Sequence, residues 1–136
     1  MIQRIQSVWL LLAAAAALLT FRFSFYFGLK TSTNINEPIN ATSNILLIIL
    51  TAATGIGSLI TIFLFKDRKT QLRLTFIALI LSILSLVIDF TEMKKFTNGR
   101  ITISAILSFL IPVFLFLAIR GIWKDQKLVK SLDRLR

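Results

Sequence analysis

The chain contains no cysteine and no histidine. Disulfides, thiolate nucleophiles, zinc sites built on either residue, histidine-ligated haem and triads that use either one are therefore excluded. Acidic residues are sparse as well: six Asp plus Glu are scattered over 136 residues, which argues against a carboxylate cage for a metal. No phosphate-binding glycine loop, zincin motif or nucleophile elbow is present, so the sequence signals neither a reaction nor a cofactor.

What the chain has in quantity is apolar residues and positive charge. Hydrophobic residues make up 56%, mean hydropathy is +0.81, and 16 Lys plus Arg give a net charge of +10. So much apolar surface is incompatible with a fold in water, and a bilayer removes the objection. The basic residues sit at the ends of apolar runs, where anionic headgroups and cytoplasmic flanks favour them, so a nucleic-acid partner is not expected.

Four apolar runs approach the length a helix needs to cross a bilayer: 8–27, 45–65, 72–90 and 101–119. The expectation is a single all-α integral membrane domain, four transmembrane helices in an antiparallel bundle. The first run imitates a signal peptide, with Ala13 to Ala17 available for cleavage. It nevertheless continues into Phe21, Phe23, Phe25, Tyr26 and Phe27, so an uncleaved span is expected. The segment TSTNINEPINATS (31–43) reads as a loop, Asn44 as the cap of the second helix, and Asn98-Gly99 as a turn inside the loop 92–100. Pro112 interrupts the fourth span with an expected modest kink. The tail 121–136, with Leu128, Leu132 and Leu135 spaced by four and three, reads as a short basic amphipathic helix at the membrane surface or a continuation of span four.

Eleven of the 16 basic residues, from Arg4, the 66–73 segment and the stretch from Arg120 to the end, fall on one face; Arg22, Lys30, Lys94, Lys95 and Arg100 fall on the other. The positive-inside rule then places both termini in the cytoplasm of a multi-pass inner-membrane protein.

Three groups of residues are candidates for a role. Arg22, Ser85, Asp89, Glu92 and Arg100 form a possible polar cluster at the outer face, with Asp89 the only carboxylate beside a long apolar run there. Arg22 also reads as a snorkelling interfacial anchor. For a path, spans three and four offer only Thr75, Ser82, Ser85, Ser104 and Ser108, and helix packing explains these as well. Ala53, Gly55 and Gly57 form a small-residue packing patch in span two. Lys124, Asp125, Lys130, Asp133, Arg134 and Arg136 form a possible docking surface on the tail, with Trp123 as an interface anchor.

The opening MIQRIQSVWLLLAA and the closing KDQKLVKSLDRLR resemble the small four-span inner-membrane family of Bacteroidetes known as domain of unknown function 4293. Met1 to Gln6 match its start, and Lys124, Asp125, Leu128 to Ser131 and Asp133 to Arg136 match its basic ending. Lys130 stands where the family often has Arg, which keeps charge but loses the planar fork. The resemblance implies the order of spans over essentially the whole chain and brings no activity, cofactor or catalytic residue.

The leading expectation is a non-enzymatic accessory or scaffold subunit that contacts membrane lipids, anionic headgroups at its basic face, and a protein partner or second copy. The alternative is a small transporter, channel or lipid-handling protein that uses the polar rim around Asp89 and Arg22. An enzyme would have to bring Tyr26, Asp89, Glu92 and Arg100 together, and is not expected. Truncation after Trp123 separates the roles of the tail: a docking tail predicts that a copurifying partner is lost from mild-detergent pull-downs, and unchanged recovery removes that role.

Overall fold

The computed structural model describes residues 2–135, with side chains from Ile5 to Leu135. The chain order is α1 (Ile2–Leu19), β1 (Tyr26–Lys30), β2 (Asn36–Ile39), α2 (Ile45–Phe63), α3 (Arg68–Met93), β3 (Phe96–Ile101) and α4 (Ala105–Asp133). Helices α2, α3 and α4, of 19, 26 and 29 residues, are long and apolar enough to cross a membrane. At 1.5 Å per residue they measure about 28, 39 and 44 Å, against a hydrocarbon core of about 30 Å. The apolar part of α1, Ile5–Leu19, is shorter. It lies along α2 and α4, while α3 packs against the same two helices from the other side.

The first corrected expectation is the span 8–27. The helix stops at Leu19, and the aromatic segment beyond it enters a strand. Phe21, Phe23, Phe25 and Phe27 alternate with Arg22, Ser24 and Tyr26, a period of two that suits a strand and not a helical stripe. The all-α expectation is amended accordingly: β1 is the centre of an antiparallel sheet ordered β2-β1-β3. The segment 31–43 is not all loop, because it contains β2, and Pro38 is tolerated there because β2 is an edge strand. Asn98-Gly99 lies inside β3 rather than at a free turn. Between the pairs Phe27↔Arg100 and Leu29↔Thr97, β3 carries one residue more than β1, and Asn98 takes up this bulge at φ 54°.

The sheet closes one end of the helices. All four helix ends that meet it are joined to a strand by short connections: α1 to β1, β2 to α2, α3 to β3 and β3 to α4. Phe25 N–H donates to Ile39 O at 2.7 Å, Thr102 N–H to Phe25 O at 3.1 Å, and Ser104 Oγ to Ser24 O at 2.6 Å, so the backbone leaving the helices is paired where water is scarce. Beneath the sheet, Phe25, Phe90 and Phe109 form a triangle with ring centroids 5.9 to 6.0 Å apart. Their tilted and edge-on contacts fix the linker against α3 and α4.

At the opposite end, the link Leu64–Asp67 makes α2 and α3 antiparallel neighbours. Asn44 caps α2 as expected, accepting from Leu46 N–H at 3.1 Å. Asp67 caps α3, accepting from Thr70 N–H at 3.4 Å and from its hydroxyl at 2.6 Å. The tail is no separate surface helix. With no Pro or other breaker after Gly121, α4 runs on to Asp133 and keeps Ile122 and Asp125 buried on the same face as Ala118.

The helix interior is built from small residues. Ala13, Ala16, Ala17, Ala78 and Ala118 surround Leu10, Ile111 and Leu115, while large side chains such as Ile49, Phe63, Phe76 and Phe116 are exposed. Apolar side chains gain little by turning inward when the surroundings are apolar, so close backbone approach drives the packing.

The closest approach lies in the sheet. A Cβ on Gly28 would lie 2.7 Å from Gly99 Cα, and one on Gly99 would strike the Tyr26 ring. Gly99→Ala is therefore expected to destabilise the protein by about 1–3 kcal/mol, as other overpacked sites do. Nothing lies within 4 Å of a Cβ on Gly57, so Gly57→Ala should leave stability equal or slightly higher, through its gain in helix propensity. Thermal melts of both variants in detergent, followed by circular dichroism, check the pair.

Candidate functional site: a carboxylate in an oxygen-lined cavity

The buried face of α2 reads Leu47, Thr51, Thr54, Gly55, Ser58 and Thr61, and that of α3 reads Gln71, Thr75, Ala78, Ser82 and Asp89. The two helices thus turn a polar and small face inward, whereas α1 and α4 supply Leu10, Ile111, Leu115 and Ile122 to the same interior. The spacing of three and four residues along 51, 54, 58 and 61 keeps those four hydroxyls on one side of α2.

A cavity of about 30 Å³ opens in the half of this interior nearer the sheet. Its walls are Thr51 and Thr54 of α2, Ser82, Ser85 and Asp89 of α3, and Ser108 of α4; Thr20, Phe23, Phe25, Ala41 and Ser104 from the sheet-side connections roof it. One probe sphere of water needs roughly 10–15 Å³, so the space suits one or two waters or a single small ion. Every polar side chain lining it is a hydroxyl or a carboxylate, and no Lys, Arg, Asn or Gln is present.

Asp89 is only 6% exposed and lines the cavity. Among the described residues its carboxylate receives no hydrogen bond and no ion pair, although burying a charge without a partner is costly. Four of the surrounding hydroxyls are committed as donors to their own helices, Thr54 to Leu50 O at 2.8 Å, Ser82 to Leu79 O at 2.7 Å, Ser85 to Leu81 O at 3.0 Å and Thr20 to Ala17 O at 2.6 Å, while Thr51 and Ser108 make no such bond among the described residues. A hydroxyl whose proton is engaged still has lone pairs to offer. Acceptors therefore outnumber free donors, which Thr51 and Ser108 supply, and with a carboxylate and no cationic side chain in the lining the cavity suits a proton or metal cation better than an anion.

Polar groups continue from the cavity toward the other end of the helices. Ser58 donates to Thr54 O and Thr61 to Ser58 O, both at 2.7 Å, and Thr75 donates to Gln71 O at 2.7 Å. Gln71 Nε2 crosses from α3 to Thr61 O at 3.1 Å and satisfies a carbonyl in the last turn of α2. At that end Gln6 Nε2 is buried without a hydrogen-bond partner among the described residues. Gly121 faces the same side chain so closely that a Cβ would lie 2.9 Å from Gln6 Cγ. Asp125 is buried nearby on α4, its backbone carbonyl accepting from Arg68 Nη1 at 3.4 Å.

Of the residues expected to form an outer polar cluster, Ser85 and Asp89 meet in the cavity and the others do not line it. Arg22 is exposed in the turn after α1. Glu92 accepts from Asn44 Nδ2 at 3.1 Å and from Lys95 Nζ at 2.8 Å, so it ties α3 to the cap of α2. Arg100 is exposed on β3 opposite Phe27. Tyr26 packs in the sheet against Phe96, with ring centroids 5.9 Å apart.

In the small-residue patch, Gly55 faces Ala17, whose Cβ would lie 3.5 Å from a Cβ placed there, while Gly57 meets open space and Ala53 is exposed. On the tail Lys124, Lys130, Asp133 and Arg134 are exposed, Asp125 is turned inward, and Arg136 lies outside the described residues.

Thr20, Thr51 and Thr54 also line the cavity and lie outside the candidates that the sequence singles out. The visible signal was the three-and-four recurrence of hydroxyls along 51–61 in an otherwise apolar span; Thr20 was hidden because the first helix had been extended through it. Neither the curated proteins nor the solved structures contain a match to this chain. The family model described as domain of unknown function (DUF4293) matches residues 2–135, and the chain belongs to that family.

Proposed function

We propose that this protein is a small non-enzymatic membrane protein that binds a proton or a small monovalent cation at Asp89 and passes it along its polar interior. The carrying observation is an unpaired carboxylate, 6% exposed, in an acceptor-lined cavity within an apolar helix assembly. Ionisable groups at such depth are expensive and mark ion pathways more often than packing. The hydroxyl ladder on α2 and the Gln71 to Thr61 link supply polar positions on the route from Asp89 toward Gln6 and Asp125. In the orientation favoured by the basic flanks, the sheet faces away from the cytoplasm and both termini lie in it.

A second reading, a subunit that packs against a membrane partner or another copy, is favoured by the outward flank of α2. Ala53 and Gly57 there leave a shallow surface between exposed Ile49, Ile56 and Ile60. Small residues of this kind admit a second helix backbone.

Proteoliposomes loaded in parallel with a pH-sensitive, a Na⁺-sensitive or a K⁺-sensitive dye test the first reading. Under an imposed potential, wild-type protein should carry H⁺ or Na⁺ faster than protein-free vesicles. Asp89→Asn should fall to the protein-free rate, while Arg22→Gln, altering an exposed side chain, should retain wild-type flux. Wild-type flux indistinguishable from empty vesicles for H⁺, Na⁺ and K⁺ would sink the proposal. Because the chain has no native cysteine, topology is open to a direct check. A single cysteine at Ser131 should react with an impermeant maleimide only after the cytoplasmic side is exposed, and one at Ser32 should react from the other side in intact cells.

A further inference from the structure

Besides the internal cavity, α3 and α4 enclose a groove on the outer surface of the helices at the end away from the sheet. Its walls are Leu72, Phe76 and Ile77 of α3 and Ile119 and Trp123 of α4, with Arg73 at its rim, and its volume is about 510 Å³. Arg73, Phe76 and Ile77 are three and four residues apart and share one helix face, as do Ile119 and Trp123. Immediately beyond Trp123 a second hollow of about 290 Å³ is bounded by Arg120, Trp123, Lys124 and Lys127. Trp123 belongs to both hollows and is 67% exposed.

The juxtaposition has two chemically different halves. The larger hollow offers aliphatic and aromatic carbon over its whole wall apart from the Arg73 side chain, and it opens on the outer surface of two helices long and apolar enough to cross a membrane. The smaller one offers three cations, Arg120, Lys124 and Lys127, and Arg73 lines the adjoining larger one, with no acidic side chain in either lining. Trp123 stands at the junction, the depth at which indole rings collect at a membrane interface. Lys and Arg clustered at the end of a membrane helix attract anionic headgroups, each contributing appreciably.

We infer that this groove is a discrete binding site for one anionic glycerophospholipid, an acyl chain lying along Phe76, Ile77 and Ile119 and the headgroup phosphate held by Arg73 with Arg120 and Lys124. Charge and shape are matched at one place: the apolar trough ends where the cations begin. A zwitterionic lipid would fill the trough equally well but bring its own ammonium group to the same cations. The site lies on the surface of the helices and is independent of the Asp89 cavity, so failure of either leaves the other standing.

Tryptophan quenching in nanodiscs tests it. In a Trp9→Phe background Trp123 is the only tryptophan. Full-length protein is placed in phosphatidylcholine nanodiscs containing rising fractions of chain-brominated phosphatidylglycerol, and separately of chain-brominated phosphatidylcholine. The expected result is that Trp123 quenching saturates at a much lower mole fraction for the anionic lipid. Arg73→Gln should weaken that preference roughly five-fold, the equivalent of about 1 kcal/mol, whereas Lys130→Gln, a change of equal charge outside the groove, should leave it unaltered. Equal quenching by the two brominated lipids in the Trp9→Phe protein overturns the site without need of any further variant. Equal losses in Arg73→Gln and Lys130→Gln overturn it too, because the attraction is then a property of the whole basic surface.

Discussion

Strand β1 is hydrogen-bonded on both edges, to β2 and to β3, and through these two ladders it holds the sheet-side ends of all four helices. The rest of the structure depends on that pairing. Inside a bilayer the helices have no hydrophobic drive toward one another, and their connections cannot leave backbone groups unpaired. The small sheet answers both needs, because it satisfies the connecting backbone and sets the helix ends at fixed spacings. Gly28 and Gly99 let the two strands approach at the bulge, and the Tyr26 ring covers the contact.

The cap also roofs the cavity. Thr20, Phe23, Phe25, Ala41 and Ser104 all belong to the segments that link helices to strands, and the aromatic triangle of Phe25, Phe90 and Phe109 holds those segments down over α3 and α4. Asp89 is therefore enclosed between a polar wall from α2 and α3 and a lid made by the connections. The same inversion of polarity explains both membrane-related features: hydroxyls and small residues turn inward, and the aliphatic and aromatic side chains left outside form the surface that carries the groove beside Trp123.

Much of the helical plan was legible. The limits of α2 were readable to within two residues at the C-terminal end, Asn44 announced its cap, and Asp89 stood out as a lone carboxylate beside an apolar run. The sheet was not read, because aromatic residues in uninterrupted series look like a continuing span until their alternation with Arg22, Ser24 and Tyr26 is given weight. Arg22 and Asp89 were grouped by depth alone, and depth says nothing about direction around a helix axis; Arg22 is exposed in the turn, whereas Asp89 turns inward.

The sequence by itself determined that the chain carries helices long and apolar enough to cross a membrane, where α2 begins, and that cysteine and histidine chemistry is absent, since each follows from local composition and length. Only the tertiary structure decided that the hydroxyls of α2 and α3 share one interior with Asp89, and that the tail is an unbroken extension of α4. It also decided that Leu72, Arg73 and Trp123 border one groove. Those outcomes depend on the rotation and neighbours of each helix, which are set by contacts between residues far apart in the chain.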